Sequence, residues 1–362
     1  MGEHEHSASS APKAQHWCST WCCRNFFMFH VGRCNCASIV PVSPFGSGND
    51  TAGINDNLGM THRKTDLDAL AVGLLLACLA FWGFQQVLAK ATLTEMAPVF
   101  QATLRLEGAA VLLLLWCRWR GIALLSPDGS TRAGLLAGVL FALEFMFLFL
   151  GLQYTSAARL TLLLYTSPLW VALLLPLRVP AERLGRMQWL GLGCAFVGVA
   201  WVLHQPTESA YPQQWLGDAM GLLAGLLWGL TTVVIRASGL TRIAPEKLLM
   251  YQLGVSALLL PCISLAMGES WNLQLSAFAW ASVLVQASVG AFLSYLVWMW
   301  ILGKYPATKV SAFTFLTPVF SLIAGVWWLG ESVSLPLLGA LTVVMAGIAM
   351  VNRRTPEKLL VQ

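Results

Sequence analysis

Three ionisable side chains sit where water should be scarce. Arg105 and Glu107 fall in the middle of the apolar run 97–117, and Glu144 in the middle of the run 133–152. A charge at the centre of a membrane-spanning helix costs about 2.5–3.5 kcal/mol on an insertion scale, so the three together cost on the order of 8–10 kcal/mol. Residues carried at that cost face a bundle interior or a wet cavity. Arg105 and Glu107 are two apart and project to different sides of a helix, so they do not pair with each other. Arg105 with Glu144 is the expected cross-helix pair. One carboxylate is then left over, to hold a proton or to await a cationic group on a ligand. Leaving water favours a carboxylate's neutral form, so a proton-coupled cycle is chemically available. The alternative is a structural ion pair, with Glu107 snorkelling to the interface.

Two prolines lie mid-run. Pro168 and Pro318 each remove a backbone donor and free the carbonyl four residues earlier, at Leu164 and Thr314. A kink with freed carbonyls is what a discontinuous-helix binding site uses; a packing kink satisfied by Thr166, Ser167 or Thr317 is the plainer outcome. Trp82, Gln85, Gln86, Tyr165, Gln252, Tyr295 and Trp298 also fall inside apolar runs. Aromatic faces beside a carboxylate hold cations or flat apolar groups, though packing or an interhelical hydrogen bond explains any one of them. Gly83 and the four-residue series Gly221, Gly225, Gly229 let neighbouring backbones approach, by default within the chain and alternatively at a homodimer seam. Glu182 and Glu331 stand at helix ends and are expected to cap or to pair with basic neighbours, with a gating role as the alternative.

Other chemistries are missing. In the tail, His16, Cys18, Cys22 and Cys23 lie close together, but no pair of C-x2-C knuckles at zinc spacing exists, so no metal is expected. Cys78, Cys117, Cys194 and Cys262 read as small hydrophobes. No H-E-x-x-H, G-x-S-x-G or phosphate-binding loop occurs, so neither an enzyme nor a cofactor is implied.

The elements that position these residues follow from composition. Hydrophobic residues make up 57% of the 362 and charged residues 11%, against a usual ~45–50% and ~25%. Mean hydropathy is +0.67. That excludes a cytosolic enzyme, a nucleic-acid-binding module and a disordered protein. Ten apolar runs are expected to be spans: 68–89, 97–117, 133–152, 158–177, 187–204, 216–236, 245–267, 278–302, 309–329 and 336–352. Each approaches the ~20 residues a helix needs to cross ~30 Å of hydrocarbon. Strand-like alternation is absent, and backbone donors inside lipid must bond within their own segment, so the fold is all-α. With the N-terminus cytoplasmic, sixteen Lys and Arg fall on inside segments and two, Lys90 and Arg159, on outside segments. That asymmetry puts both termini in the cytoplasm. Tryptophans at run ends suit interfacial belts. Residues 1–66 read as a disordered tail, and Met60 as the translation start; residues 353–362 read as a short basic tail.

The chain repeats itself. Trp82-Gly83 and Trp228-Gly229 lie 146 apart, and Leu93-Thr94-Glu95-Met96-Ala97-Pro98 matches Leu240-Thr241-Arg242-Ile243-Ala244-Pro245 at offset 147. Pro168 and Pro318 follow at 150, Ala157 and Ala307 at 150, Glu182 and Glu331 at 149, Gly191 and Gly339 at 148, and Gln252 occupies the repeat position of Arg105 at 147. Two units, 67–205 and 215–352, hold five spans each; five is odd, so the second enters the membrane from the opposite side. Inverted repeats allow a central site to open to either face.

These residues resemble the EamA family of the drug/metabolite transporter superfamily. The resemblance is carried by Trp82-Gly83, Arg105, the run Gly151-Leu152-Gln153-Tyr154-Thr155-Ser156-Ala157 leading to Pro168-Leu169, and Glu182-Arg183-Leu184, with Trp228-Gly229, Ala307, Thr317-Pro318 and Gly330-Glu331 in the second copy. It covers roughly 67–352; the tail and Glu144 fall outside it. It implies a ten-helix carrier of small metabolites, often an exporter of amino-acid-like compounds in the bacterial inner membrane. The expected partners are such a metabolite, the bilayer and protons. A channel, whose flux would not saturate, and a non-transporting structural or sensory subunit, which would show no flux, are the competing classes.

Overall fold

The computed structural model describes residues 67–124, 126–179, 185–205, 210–305 and 313–351, all within one unit spanning 60–362. The tail with Met60 and its cysteines and histidines, Glu182, Arg183, Ala307, Lys309 and the segment 353–362 lie outside the described residues.

Among the described residues every regular element is helical: α1 Ala69–Ala91, α2 Pro98–Arg120, α3 Thr131–Gly151, α4 Ala157–Leu164, α5 Ser167–Arg178, α6 Arg186–Leu203, α7 Gln214–Ala237, α8 Pro245–Ala266, α9 Ala277–Val285, α10 Ser294–Lys304, α11 Thr317–Leu329 and α12 Leu335–Val351. The repeated Ala-Pro has the same local result twice. Pro98 and Pro245 take the first helical position of α2 and α8, where a missing N–H costs nothing and the fixed φ suits the helix. Asp68 caps α1 by accepting from Ala71 N–H at 2.9 Å, and Ser156 and Ser276 cap α4 and α9. Gly121 and Gly330, at φ +67° and +64°, end α2 and α11 in the left-handed region.

Eight helical stretches are long and apolar enough to cross a bilayer, α4–α5 counting as one and α9–α10 as one; Thr317–Leu329 and Leu335–Met350 are shorter. Ten full spans were expected. The ninth expected span is described only from Phe313 onward, where a 3-10 turn at Thr314–Leu316 leads into α11 with Pro318 in its first turn. The run 158–177 was expected as one helix and is two, interrupted at Tyr165–Thr166 ahead of Pro168. The eighth span relaxes to a π-helical segment over Gln286–Leu293 between α9 and α10. Leu114, Leu115, Leu177, Leu258, Ile323 and Trp327 are all exposed on helix surfaces. Water does not solvate such a girdle; hydrocarbon does. The chain is an all-helical membrane protein.

The main helix pairings recur when the two sequence repeats are exchanged, although α2 packs on α3 without an equally close counterpart between α8 and the α9–α10 run. α2 packs on α8, and α6 on α12. α1 packs on α11 as α7 packs on α5; α3 packs on α7 as α1 packs on the π segment and α10. The self-paired helices run antiparallel. A Cβ on Gly347 would meet Ala195 N at 2.5 Å, whereas one on Gly198 would meet Val344 N at 3.0 Å. Glu269, beyond the end of α8, accepts from Val99 and Phe100 N–H at the start of α2, at 3.0 and 2.8 Å. Asp128, beyond the end of α2, accepts from Lys247 at the start of α8 at 2.8 Å. Each second helix is thus tethered at its first turn by a carboxylate of the other repeat.

Candidate functional site

Among the described residues Arg105 is the largest fully buried side chain, 1% exposed. Its Nη2 donates to Gln85 Oε1 of α1 at 3.0 Å. Its guanidinium lies over the Phe145 ring at 4.8 Å and near Phe149 at 5.8 Å. Phe141, Phe145 and Phe149 recur every four residues on α3, forming one aromatic ridge on which a delocalised cation stacks. Gln85 is held in turn by the π segment: a Cβ on Gly290 would collide with Gln85 Oε1. A glycine in a bulged turn therefore gives the amide its seat, and the amide orients the arginine.

Glu144 is 4% exposed. It lies within electrostatic reach of Arg105, Tyr165 and Tyr295. The expected Arg105–Glu144 pair does not close: no such contact within 4.0 Å exists among the described residues. Arg105 turns to Gln85 instead, because stacking on Phe145 fixes the plane of its guanidinium. Arg105 Nε and Glu144 Oε2 are both buried without a hydrogen-bond partner. Left unmade, each is costly in a low-dielectric interior. A buried cation donor and a buried anion acceptor, within electrostatic reach but unjoined, are free to meet a ligand of complementary charge.

Aromatics from both repeats wall this centre. Trp82 Nε1 donates to Ser294 Oγ at 2.7 Å, and its ring packs against Tyr295 at 5.8 Å and Trp298 at 5.3 Å. Tyr165, in the break between α4 and α5, stands edge-on to Trp228 at 5.2 Å. The repeated Trp-Gly pairs also match in packing. A Cβ on Gly83 would stand 2.6 Å from Ser321 N, and one on Gly229 2.7 Å from Trp170 Cβ, each at the start of the proline-led helix of the other repeat.

The prolines behave differently from expectation in one respect. Thr314 carbonyl is taken by Thr317 N–H, so Pro318 frees no acceptor there. At the other break a Cβ on Gly225 would lie 2.9 Å from the Leu163 and Leu164 carbonyls and 2.6 Å from Thr166 Oγ1. Gly221 faces the side chains of Leu160 and Leu163, each 3.0 Å from where its Cβ would stand, and Gly229 faces Trp170. The series Gly221, Gly225, Gly229 is therefore occupied by α4 and α5 of the same chain and offers no dimer seam.

Two expected site residues are not brought to this centre by any described contact. Glu107 is half-buried, and Gln252, though buried, makes only a backbone bond, from Ser256 Oγ. Arg159, assigned to an outside segment, is buried in a bidentate pair with Asp218, both bonds 2.7 Å, and donates to Val202 O at 2.7 Å. Sequence reasoning missed Gly290, Ser294 and the phenylalanine ridge; the four-residue spacing of Phe141, Phe145 and Phe149 was the available signal. Among the described residues no cluster of His, Cys, Asp or Glu could hold a metal ion.

The profile of the EamA-like transporter family matches residues 69–204 and 215–353, the same two units that carry the repeated motifs. The chain belongs to this family. It is an EamA-like transporter and not an enzyme. An uncharacterised transporter of Synechocystis is 28% identical over 328 residues, 82% of this chain and 94% of that one. A WAT1-related chloroplastic protein of Arabidopsis thaliana is 30% identical over 75% of this chain and 67% of its own length. A "probable amino-acid metabolite efflux pump" of Salmonella typhimurium is 25% identical over 76% of this chain and 92% of that one. A crystal structure sharing the fold superposes with a TM-score of 0.56 at 17% identity, over 78% of this chain and 95% of that one.

Proposed function

We propose that this EamA-like transporter is a secondary carrier of the inner (plasma) membrane that exports a small amino-acid-like metabolite by alternating access. Its two five-span units are inverted, both termini are cytoplasmic, and the cycle is coupled to protons. The observation that carries the reading is the unjoined pair at the centre. Arg105 and Glu144 lie within electrostatic reach of each other, are buried, and each keeps an unpartnered atom. A zwitterion satisfies both at once: its carboxylate meets the guanidinium, its ammonium the glutamate, and its apolar part the ring of Trp82, Tyr295 and Trp298. When the ligand leaves, a proton on Glu144 replaces the ammonium, so ligand and proton alternate on one carboxylate. The antiparallel pairing of α2 with α8 and α6 with α12 supports inversion, and the recurrence of the main pairings on exchange of the repeats supports two interconvertible states. The printed name of the Salmonella relative supports the ligand class.

The experiment is counterflow in proteoliposomes preloaded with unlabelled amino acids, with and without an imposed pH gradient. Saturable exchange that responds to the gradient is expected in wild type. Flux that does not saturate makes the protein a channel, and no flux for any ligand class removes the carrier reading.

A further inference from the structure

We infer that Lys90 and Glu331 form the latch that closes one end of the transport path, the end assigned above to the outside, and that this end opens by parting them. The inference rests on the carrier reading of the preceding subsection. Lys90 lies in the last turn of α1, and Glu331 directly follows Gly330, which ends α11. Lys90 Nζ is 3.4 Å from Glu331 Oε1, with side chains 13% and 5% exposed. Nζ also donates to the Thr155 carbonyl and stands 4.3 Å over the Tyr211 ring. Glu331 Oε1 accepts from Ala157 N–H, the first residue of α4, at 2.8 Å. One ion pair therefore gathers the ends of α1 and α4 from the first repeat and α11 from the second.

The seam beneath it leads inward. Thr161 Oγ1 and Ser321 Oγ meet at 3.1 Å between α4 and α11. Four residues further along those helices stand Tyr165 and Thr317, at the level of the charged centre. Nothing entering from this end reaches Arg105 by that seam while the three helix ends are tied.

The quality of the pair distinguishes a latch from a weld. Arg159 and Asp218, at the same end, are joined by two 2.7 Å bonds. Lys90 and Glu331 share one longer contact, and Glu331 Oε2 is buried with no hydrogen-bond partner. Opening the latch gives that oxygen water, which offsets part of the lost attraction. Gly325 makes the seat: a Cβ there would stand 2.5 Å from Glu331 Oε2.

The test places a single reporter cysteine at position 321 (Ser321→Cys), with the native cysteines replaced, and measures labelling by a membrane-impermeant maleimide on intact cells and on inside-out vesicles. Lys90→Met, Glu331→Gln and Gly325→Ala break the latch by three routes: loss of the cation, loss of the anion with the acceptor kept, and a steric push. Each is expected to raise the labelling rate about ten-fold from the outer face, the scale of a modest population shift. Gly325→Ala is the variant most exposed to misfolding, and the two polar variants stand without it. Labelling at the parent rate from both faces in Lys90→Met and Glu331→Gln overturns the latch. Acceleration from the inner face alone overturns its assignment to the outside. Wild-type counterflow in the same membranes decides the carrier reading separately.

Discussion

Replacing Arg159 by methionine strands a carboxylate. Asp218 is 5% exposed and receives both of its charge-assisted bonds from Arg159, each 2.7 Å, while the third arginine bond reaches Val202 O. Removing one partner of a buried pair leaves the other uncompensated and costs about 3–5 kcal/mol. Replacing both partners with apolar residues of similar size is neutral or stabilising by about 1–4 kcal/mol, because the desolvation cost disappears with the charges. Arg159→Met is therefore expected to destabilise strongly and Arg159→Met with Asp218→Leu to recover at least most of the loss. At about 2 °C per kcal/mol for a chain of this size, the single change lowers the midpoint by roughly 6–10 °C. The assay is thermal unfolding of the purified protein in detergent, run as a double-mutant cycle with Asp218→Leu as the fourth corner. A single mutant that melts with wild type, or a double mutant that melts no higher than the single, refutes the buried-pair reasoning.

Three further outcomes follow from the same geometry. Glu144→Gln keeps the side chain's size but loses both the anion and the exchangeable proton, so exchange of a zwitterion should weaken and whatever remains should no longer respond to an imposed pH gradient; full exchange with intact coupling moves both roles elsewhere. Gly83→Ala places a methyl 2.6 Å from Ser321 N, and overpacking of about 1–3 kcal/mol should appear as a lowered melting temperature; an unchanged midpoint shows that α1 and α11 separate freely. Asp128 is held well below the usual carboxylate range by the bond from Lys247 and then by Ser130. A depressed folded value stabilises above the ordinary carboxylate range and is lost as pH falls through the folded value. The stability gap between wild type and Asp128→Asn should thus be flat from pH 7 to about 5 and shrink only in stronger acid; a gap that already changes near neutral pH contradicts the assignment.

Much of this was legible in the chain, and the parts that were not share a cause. Apolar runs and Lys/Arg asymmetry are one-dimensional signals, so the helices and the doubled unit could be read directly. The Ala-Pro and Trp-Gly repeats even foretold matching local structure, because a proline at a first helical position and a glycine at a helix crossing act through the backbone. Partner choice is three-dimensional. Arg105 was matched to Glu144 by charge, but stacking on Phe145 turned it to Gln85 of α1. The eighth run gave no hint of its π segment, since the extra residue per turn is absorbed by packing against Gln85 and not by any local propensity. Lys90 and Arg159 looked like ordinary outside charges because their partners, Glu331 and Asp218, are more than 50 residues away along the chain.

The most direct trial of the account is counterflow measured on wild type and on Arg105→Lys together, with one zwitterionic amino acid and its decarboxylated amine as paired substrates. The alternating-access account predicts saturable exchange of the amino acid in wild type, lost in the lysine variant while the amine is spared, since only the carboxylate needs the planar donor fork. Equal loss of both substrates, or exchange of the amino acid that is indifferent to Arg105, would contradict it.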